Sequence, residues 1–189
     1  FGNALREIEK VQEAKQAYKN ALQLNSAHVG AASNLGSLLT DDAELDEAEE
    51  LFSKAIEQAP KNVNLRINYG KLLAERDEHA AAIVQYQIAL LFAPRSPELH
   101  FNFANALKEE GAVEESIASY RIAIEVKPDF ADAYFVLGLV LKEEGKAIEA
   151  TWVLKNAYQM VPSIASSLGF VSQIYSMGEH FADCIFKAP

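Results

Sequence analysis

The stretch from Val63 to Ser96, VNLRINYGKLLAERDEHAAAIVQYQIALLFAPRS, is the unit that the rest of the chain repeats. Its small, aromatic and proline residues recur at intervals of 34 residues in both directions. Five columns hold this period through four successive units, which is very unlikely to arise by chance. The columns are Gly36, Gly70, Ala104 and Gly138; Ala48, Ala82, Ser116 and Ala150; Phe52, Tyr86, Tyr120 and Leu154; Ala55, Ala89, Ala123 and Ala157; and Pro60, Pro94, Pro128 and Pro162.

Each unit divides into two amphipathic helices, called A and B below. In the quoted unit, apolar residues at helical spacing predict helix A over residues 63–76 and helix B over residues 78–92. Gly70 and Ala82 have little or no side chain, so they allow the two helices to approach closely. Tyr86 supplies bulk where helix A of the next unit packs.

The turns between helices also carry signals. Residues 96–98, Ser-Pro-Glu, predict a helix start with a Ser cap, Pro in the first turn and an acid at the positive end of the helix. Gly111 and Gly145 occupy the turn between helices A and B, where a left-handed residue is often needed. Two other units have residues 42–43 (Asp-Ala) and 77–78 (Asp-Glu) there, so we expect those two turns to be built differently.

A 34-residue period with this pattern resembles the tetratricopeptide repeat, a pair of antiparallel helices that stacks on its neighbours. The resemblance implies an all-α fold, a right-handed α-solenoid of antiparallel helix pairs, and one continuous array over residues 1–189. The match is specific for fold and names no function, because this repeat serves many unrelated proteins. The units are a partial repeat 1–28, complete repeats 29–62, 63–96, 97–130 and 131–164, and a partial repeat 165–189.

The two ends fit incomplete units. Residues 1–28 match the last part of an earlier unit, and residues 165–189 match the first part of a later one. We expect a fragment whose array is truncated, or whose end is covered by another domain or subunit. We interpret the lone Cys184 as a packed core thiol. The column residues of the ends are Gly2, Leu5, Ala14, Tyr18 and Ala21, then Leu168, Tyr175 and Cys184.

Composition bounds the function. The net charge of −10 argues against nonspecific nucleic-acid binding, where Lys and Arg neutralise phosphates. No apolar run approaches 18 residues, so we expect no membrane insertion. The single cysteine fits a reducing compartment and predicts a cytoplasmic location. We interpret the acidic run Asp41–Glu50 as a solvated face whose acids complement a helix dipole.

No catalytic constellation emerges from the sequence. The four histidines lie far apart, and none pairs with a His or Cys at metal-ligand spacing. We interpret His100 as a packing residue, His79 as solvated, and the carboxylate pairs 109–110 and 143–144 as surface charge. The sequence therefore predicts neither an enzyme nor a metal or cofactor site.

The resemblance implies that helix A lines a concave groove through positions 2, 5, 6, 9, 12 and 13 of each unit. Asparagine recurs at position 6, which is similar to the asparagine ladder of the O-GlcNAc transferase repeat array, where amides grip the backbone of an extended polypeptide. One amide can both donate and accept, so it matches any peptide bond. The alternative is that these amides only solvate the groove wall. The polar candidates are Asn34, Ser37, Asn64, Asn68, Lys71, Asn102, Asn105, Lys108 and Lys142.

The ladder stops after three asparagines. Position 6 becomes Val136 and then Phe170, and position 9 becomes Leu139, so these residues and Phe135 form an apolar patch. Such a patch often marks a contact site. The alternative is burial under a downstream domain or by self-association.

A second known groove chemistry does not fit. Repeat domains that bind chaperone C-termini use a clamp of Lys, Asn, Asn, Lys and Arg over three units. In either register of this chain, an acid, Glu98 or Asp132, stands where the clamp needs its second lysine.

Three hypotheses follow. The leading one is a non-catalytic scaffold that binds a protein or an extended peptide segment in the concave groove. The second is a substrate-recruiting arm of a larger glycosyl-, sulfo- or methyltransferase. The third is a homo-oligomer that associates through uncapped apolar ends.

Overall fold

The computed structural model describes residues 2–160, with side chains from residue 10 onward. All secondary structure in this part of the chain is α-helical, and it divides into two compact units on either side of residue 112. The first unit contains α1 (Gly2–Leu24), α2 (Val29–Asp41), α3 (Leu45–Gln58), α4 (Val63–Glu75), α5 (His79–Leu90) and α6 (Pro97–Glu109). The second contains α7 (Val113–Val126), α8 (Ala131–Glu143) and α9 (Ala147–Met160).

The predicted all-α class is confirmed, with helices packed in adjacent pairs. Helices α2 and α3, α4 and α5, and α8 and α9 pair in chain order. The helices predicted over residues 63–76 and 78–92 are α4 and α5, with ends within two residues of the prediction. The single array over residues 1–189 stays a prediction, and the calls on Pro162, Phe170 and residues 165–189 lie outside the described residues.

Glycine and a bulky residue sixteen positions later pack together in three helix pairs. A Cβ on Gly36 would lie 2.5 Å from Cζ of Phe52, and one on Gly70 would meet the ring of Tyr86. The same contact recurs in the second unit, where Leu154 covers Gly138. We call these three contacts the glycine seam. The sequence assigned the bulk of Tyr86 to the next unit, whereas the structure shows the ring against Gly70 of its own unit.

All four turns between helices A and B are built alike, so the expectation of two different constructions is wrong. The residue after each helix A cap has positive φ: Gly111 at 83° and Gly145 at 72°, and also Ala43 at 60° and Asp77 at 59°. In every turn, the next residue donates its N–H to a carbonyl five residues back at 2.8 Å. Non-glycine residues therefore adopt a left-handed conformation that sterics disfavour.

Helix α1 departs from the repeat pattern. Residues 1–28 match the columns of the last part of a two-helix unit, whereas residues Gly2–Leu24 form one helix. Glu9 and Lys10 favour helix continuation, unlike the residues at the other turns.

Helix starts follow the predicted chemistry. Ser96 Oγ accepts the backbone N–H of Leu99 at 3.3 Å, and Pro97 stands in the first turn of α6. Asn62 caps α4 in the same way, accepting from the N–H of Leu65 at 3.0 Å. These caps satisfy backbone donors that the first helical turn leaves unpaired.

The acidic run has a structural role beyond solvation. Asp46 and Glu47 lie in the first turn of α3, as predicted for a helix dipole. The run also holds cations from neighbouring helices, because Arg76 contacts Asp46 at 2.9 Å and Glu49 at 3.0 Å. The interpretation as a solvated face was therefore incomplete.

Buried Lys15 is the second cation that this run holds. Its ammonium lies 2.5 Å from Asp42 and 2.8 Å from Glu44. Burial lowers the pKa of Lys15, but the hydrogen bonds and charges of Asp42 and Glu44 outweigh burial and raise the pKa above its ordinary value. Helix α1 is thus tied to the start of α3.

Candidate functional site

A cavity of about 320 Å³ lies along the helices A of the first unit. Helices α2, α4 and α6 supply most of its wall, and α5 contributes two residues. Its volume is at the lower end of the range for small-ligand pockets, so it suits a few side chains. The cavity is lined by Ser37, Thr40, Asp41, Asn68, Lys71, Ala74, Glu75, His79, Tyr86, Asn102, Asn105, Ala106 and Glu109.

The cavity brings together five of the predicted groove residues, among them the position-6 asparagines of α4 and α6. Asn68 donates its amide to Ser33 Oγ at 3.1 Å and to the Ser33 carbonyl at 3.4 Å. This contact joins α4 to α2. The carbonyl oxygen of the Asn68 side chain accepts no hydrogen bond from any described residue. The five residues are Ser37, Asn68, Lys71, Asn102 and Asn105.

Asn102 differs from Asn68 in its partners. Its side chain is half-buried on the cavity wall and has no hydrogen-bond partner within residues 10–160. Both its donor and its acceptor are therefore available to a ligand. Asn105 is also half-buried on the wall, one helical turn further along α6.

Three predicted residues of the first unit do not line the cavity. Asn34 is exposed and donates to the Tyr18 hydroxyl at 3.2 Å. Asn64 is exposed in the first turn of α4. Lys108 contacts the Glu109 carboxylate at 2.7 Å, and this hydrogen bond, with the charge of Lys108, lowers the pKa of Glu109.

The structure adds an acidic column that the sequence analysis left unused. Asp41, Glu75 and Glu109 all stand at position 13, and all three line the cavity. The family pattern included position 13 among the groove positions, so the signal was present in the sequence. The interpretation of Glu109 as surface charge was incomplete, because the residue is both exposed and part of the wall.

The start of α5 contributes His79, and its predicted solvation is wrong. The side chain is only 19% exposed, and its Nδ1 atom is buried without a hydrogen-bond partner in the described part of the chain. Its Nε2 atom lies 3.8 Å from Asp77 Oδ1.

Tyr86 also borders the cavity, although only 1% of it is exposed. Its hydroxyl has no hydrogen-bond partner among the described residues. Burial, followed by the negative charge of Glu75, raises the pKa of Tyr86 well above its ordinary value. The phenol is therefore neutral and can both donate and accept.

The remaining predictions about chemistry concern His100 and metals. His100 is buried, and its Nε2 atom lies 3.0 Å from the Pro94 carbonyl, which confirms a packing role. Within residues 10–160, His, Cys, Asp and Glu side chains form no cluster that could hold a metal ion. No helix among the described residues is long and apolar enough to cross a membrane.

The predicted apolar patch lies on α8 in the second unit. Phe135 and Val136 are half-buried, and Leu139 is 36% exposed. Lys142, one turn beyond Leu139, is exposed. The fourth member of the patch, Phe170, is outside the described residues.

Comparison with protein families matches three stretches of the chain. Models described as "Tetratricopeptide repeat" match residues 1–63 and residues 39–100, and a model described as "TPR repeat" matches residues 104–145. The chain contains tetratricopeptide repeats. A comparison with curated protein sequences gives no match.

Solved structures show the same repeat fold. The crystal structure of MamA is 23% identical, with a TM-score of 0.74 over 88% of this chain and 97% of that one. MamA 41-end from Desulfovibrio magneticus RS-1 is 15% identical, with a TM-score of 0.74 over 86% of this chain and 91% of that one. A structure described as "YrrB: a TPR protein with an unusual peptide-binding site" is 24% identical, with a TM-score of 0.67 over 85% of this chain and 82% of that one.

These likenesses establish the fold. Tetratricopeptide repeats in an all-helical structure of this kind are typical of scaffolds for protein–protein interaction, and that class of function is supported for this chain.

Proposed function

We propose that the chain is a non-catalytic scaffold that binds an extended peptide segment along the helices A of the first unit. Asn102 carries the proposal, because it places an unpartnered amide on the wall of a cavity. An amide that no other side chain occupies can donate to and accept from a peptide backbone. The groove similarity to the O-GlcNAc transferase ladder and the peptide-binding site in the description of YrrB support the same function.

The asparagines have unequal roles in this proposal. Asn102 donates to a peptide carbonyl and accepts from a peptide N–H, as the ladder similarity suggests. Asn68 only accepts, since Ser33 already holds its amide N–H groups. Asn105, Ser37 and Lys71 extend the polar wall. Asn34, Asn64 and Lys108 do not line the cavity, so the proposal gives them no contact with the peptide.

The apolar face of α8, formed by Phe135, Val136 and Leu139 with Lys142 beside it, would take large apolar side chains of a protein partner. A cytoplasmic location and the absence of nucleic-acid partners stay predictions from composition. Recruitment for an attached enzyme and self-association through the ends also stay hypotheses.

A random dodecapeptide library displayed on phage tests the proposal. The immobilised chain should enrich a family of peptides, and Asn102→Ala should bind a synthetic peptide from that family about tenfold more weakly. The melting temperature of Asn102→Ala should match that of the wild type. Exposed Asn64→Ala is the matched control, because it removes the same side chain from α4 outside the cavity.

Two results would reject the proposal. One is a failure of the chain to enrich any peptide. The other is equal affinity of wild type and Asn102→Ala for the enriched peptide.

A further inference from the structure

The acids on the cavity wall stand where the fold itself disfavours them. Asp41, Glu75 and Glu109 are the last residues of α2, α4 and α6. The carboxyl end of a helix carries partial negative charge, so an acid there is unfavourable for helix stability. These three acids share one wall of the cavity, where their charge can act on a ligand.

Two of these acids also lack a cationic partner. Glu109 is held by Lys108. Asp41 and Glu75 form no ion pair with any described residue, and Lys71, the cation on the same wall, forms none either. If Lys71 balances one carboxylate, the wall still carries excess negative charge. This charge complements a positively charged ligand group.

Tyr86 adds a second, independent polar group to the cavity wall. Its side chain is almost completely buried, it borders the same cavity, and its hydroxyl is unpartnered among the described residues. The hydroxyl is not one of the fully buried unpaired atoms, which fits a hydroxyl that opens onto the cavity. A ligand with several N–H donors would supply a hydrogen-bond partner.

From this geometry we infer that the cavity binds the cationic side chain, Arg or Lys, of the extended peptide. Asp41 and Glu75 accept its charged N–H donors, and the Tyr86 hydroxyl accepts another. Asn102 and Asn105 hold the peptide backbone beside it. This inference rests on the proposed function and adds the class of side chain that the groove selects. Charge-assisted hydrogen bonds are stronger than neutral ones, so the cation contributes more affinity than a neutral side chain of the same size.

The test compares three chains in the random dodecapeptide selection. The wild type should enrich peptides with Arg or Lys at one shared position. The double variant Asp41→Asn with Glu75→Gln should lose that preference. The charge-matched control is Glu13→Gln with Glu57→Gln, because both acids are exposed, lie outside the cavity and have no ion pair among the described residues. This control should retain the preference.

A synthetic peptide then measures the effect of the charge alone. Replacing its basic residue with citrulline, a neutral isostere of arginine, should weaken binding to the wild type at least about tenfold. The same replacement should change binding to the Asp41→Asn, Glu75→Gln variant less than about twofold. That variant should melt at the wild-type temperature or above, because it removes two unfavourable charges from helix ends.

The outcomes separate this inference from the proposed function. Enriched peptides without a basic preference, or equal affinity for the citrulline peptide, would overturn the inference and leave peptide binding in place. Failure to enrich any peptide would overturn both.

Discussion

The helices A of the first unit and α8 of the second share a repeat frame but present different surfaces. At position 6, α4 and α6 carry asparagine, whereas α8 carries half-buried Val136. At position 9, α4 and α6 carry Lys71 and Asn105, whereas α8 carries Leu139. The glycine seam, by contrast, recurs in both units with the same contact between a glycine and a bulky side chain. Sterics thus fix the packing columns, whereas the groove columns differ in chemistry between the two units.

Removing the bulky residue of a glycine-seam contact should destabilise either unit, because both units contain this contact. Phe52→Ala in the first unit and Leu154→Ala in the second should each lower the free energy of unfolding by about 3–5 kcal/mol, because each leaves a cavity over a glycine. Urea denaturation measures the loss. Trp152→Ala is the control, since this large residue of α9 is 62% exposed and its removal should cost less than about 0.5 kcal/mol. A seam variant as mild as the control would contradict the packing role.

Substitutions in one turn of each unit should change stability in opposite directions. Gly145→Ala should destabilise by about 1 kcal/mol, because its φ of 72° suits glycine and its surroundings are open, so only backbone strain changes. Ala43→Gly should stabilise by about 0.5 kcal/mol, since relief of strain exceeds the added freedom of the unfolded chain. Thermal unfolding of both variants checks the signs. A loss of stability in Ala43→Gly would show that its left-handed turn is not strained.

Two of the three cavity asparagines, Asn68 and Asn102, sharpen the distinction between packing and proposed binding within the first unit. Asn68→Ala should lower the free energy of unfolding by about 1 kcal/mol, because it removes the hydrogen bonds to Ser33. Asn102→Ala should leave it within about 0.3 kcal/mol of the wild type, since no described residue contacts its amide by a hydrogen bond. Equal destabilisation by the two variants would mean that Asn102 is a structural residue.

Much of the fold could be predicted because the repeat period reports sterics directly. A glycine that cannot accept a Cβ and a proline that ends a helix leave clear marks in the sequence. The turns at Ala43 and Asp77 escaped prediction, since the two remaining turns have glycine and only the backbone shows that alanine and aspartate follow the same path. The single helix α1 was not predicted either. Its residues match the columns of a two-helix unit, but the local sequence favours one continuous helix.

The site was predicted less completely. Position 6 was chosen correctly for the cavity wall in α4 and α6, but contacts between units decide which amides remain available. Asn68 donates to Ser33, 35 residues away, and no local pattern reports that contact. The acids at position 13 can be read from the sequence. That they are the last residues of their helices is known only from the helix bounds of the structure. The burial of His79 likewise depends on neighbouring helices rather than on its own segment.

In the proposed function, a peptide binds through the polar cavity of the first unit. Two-dimensional ¹H–¹⁵N NMR of the side-chain amides, recorded with and without an enriched dodecapeptide, tests this binding mode. The largest shifts should occur at Asn102 and Asn105, with a smaller shift at Asn68. Asn64 and Asn34, which lie outside the cavity, should shift least. Unchanged Asn102 and Asn105 signals at saturating peptide, with shifts confined to the backbone amides of Phe135, Val136 and Leu139, would contradict this binding mode.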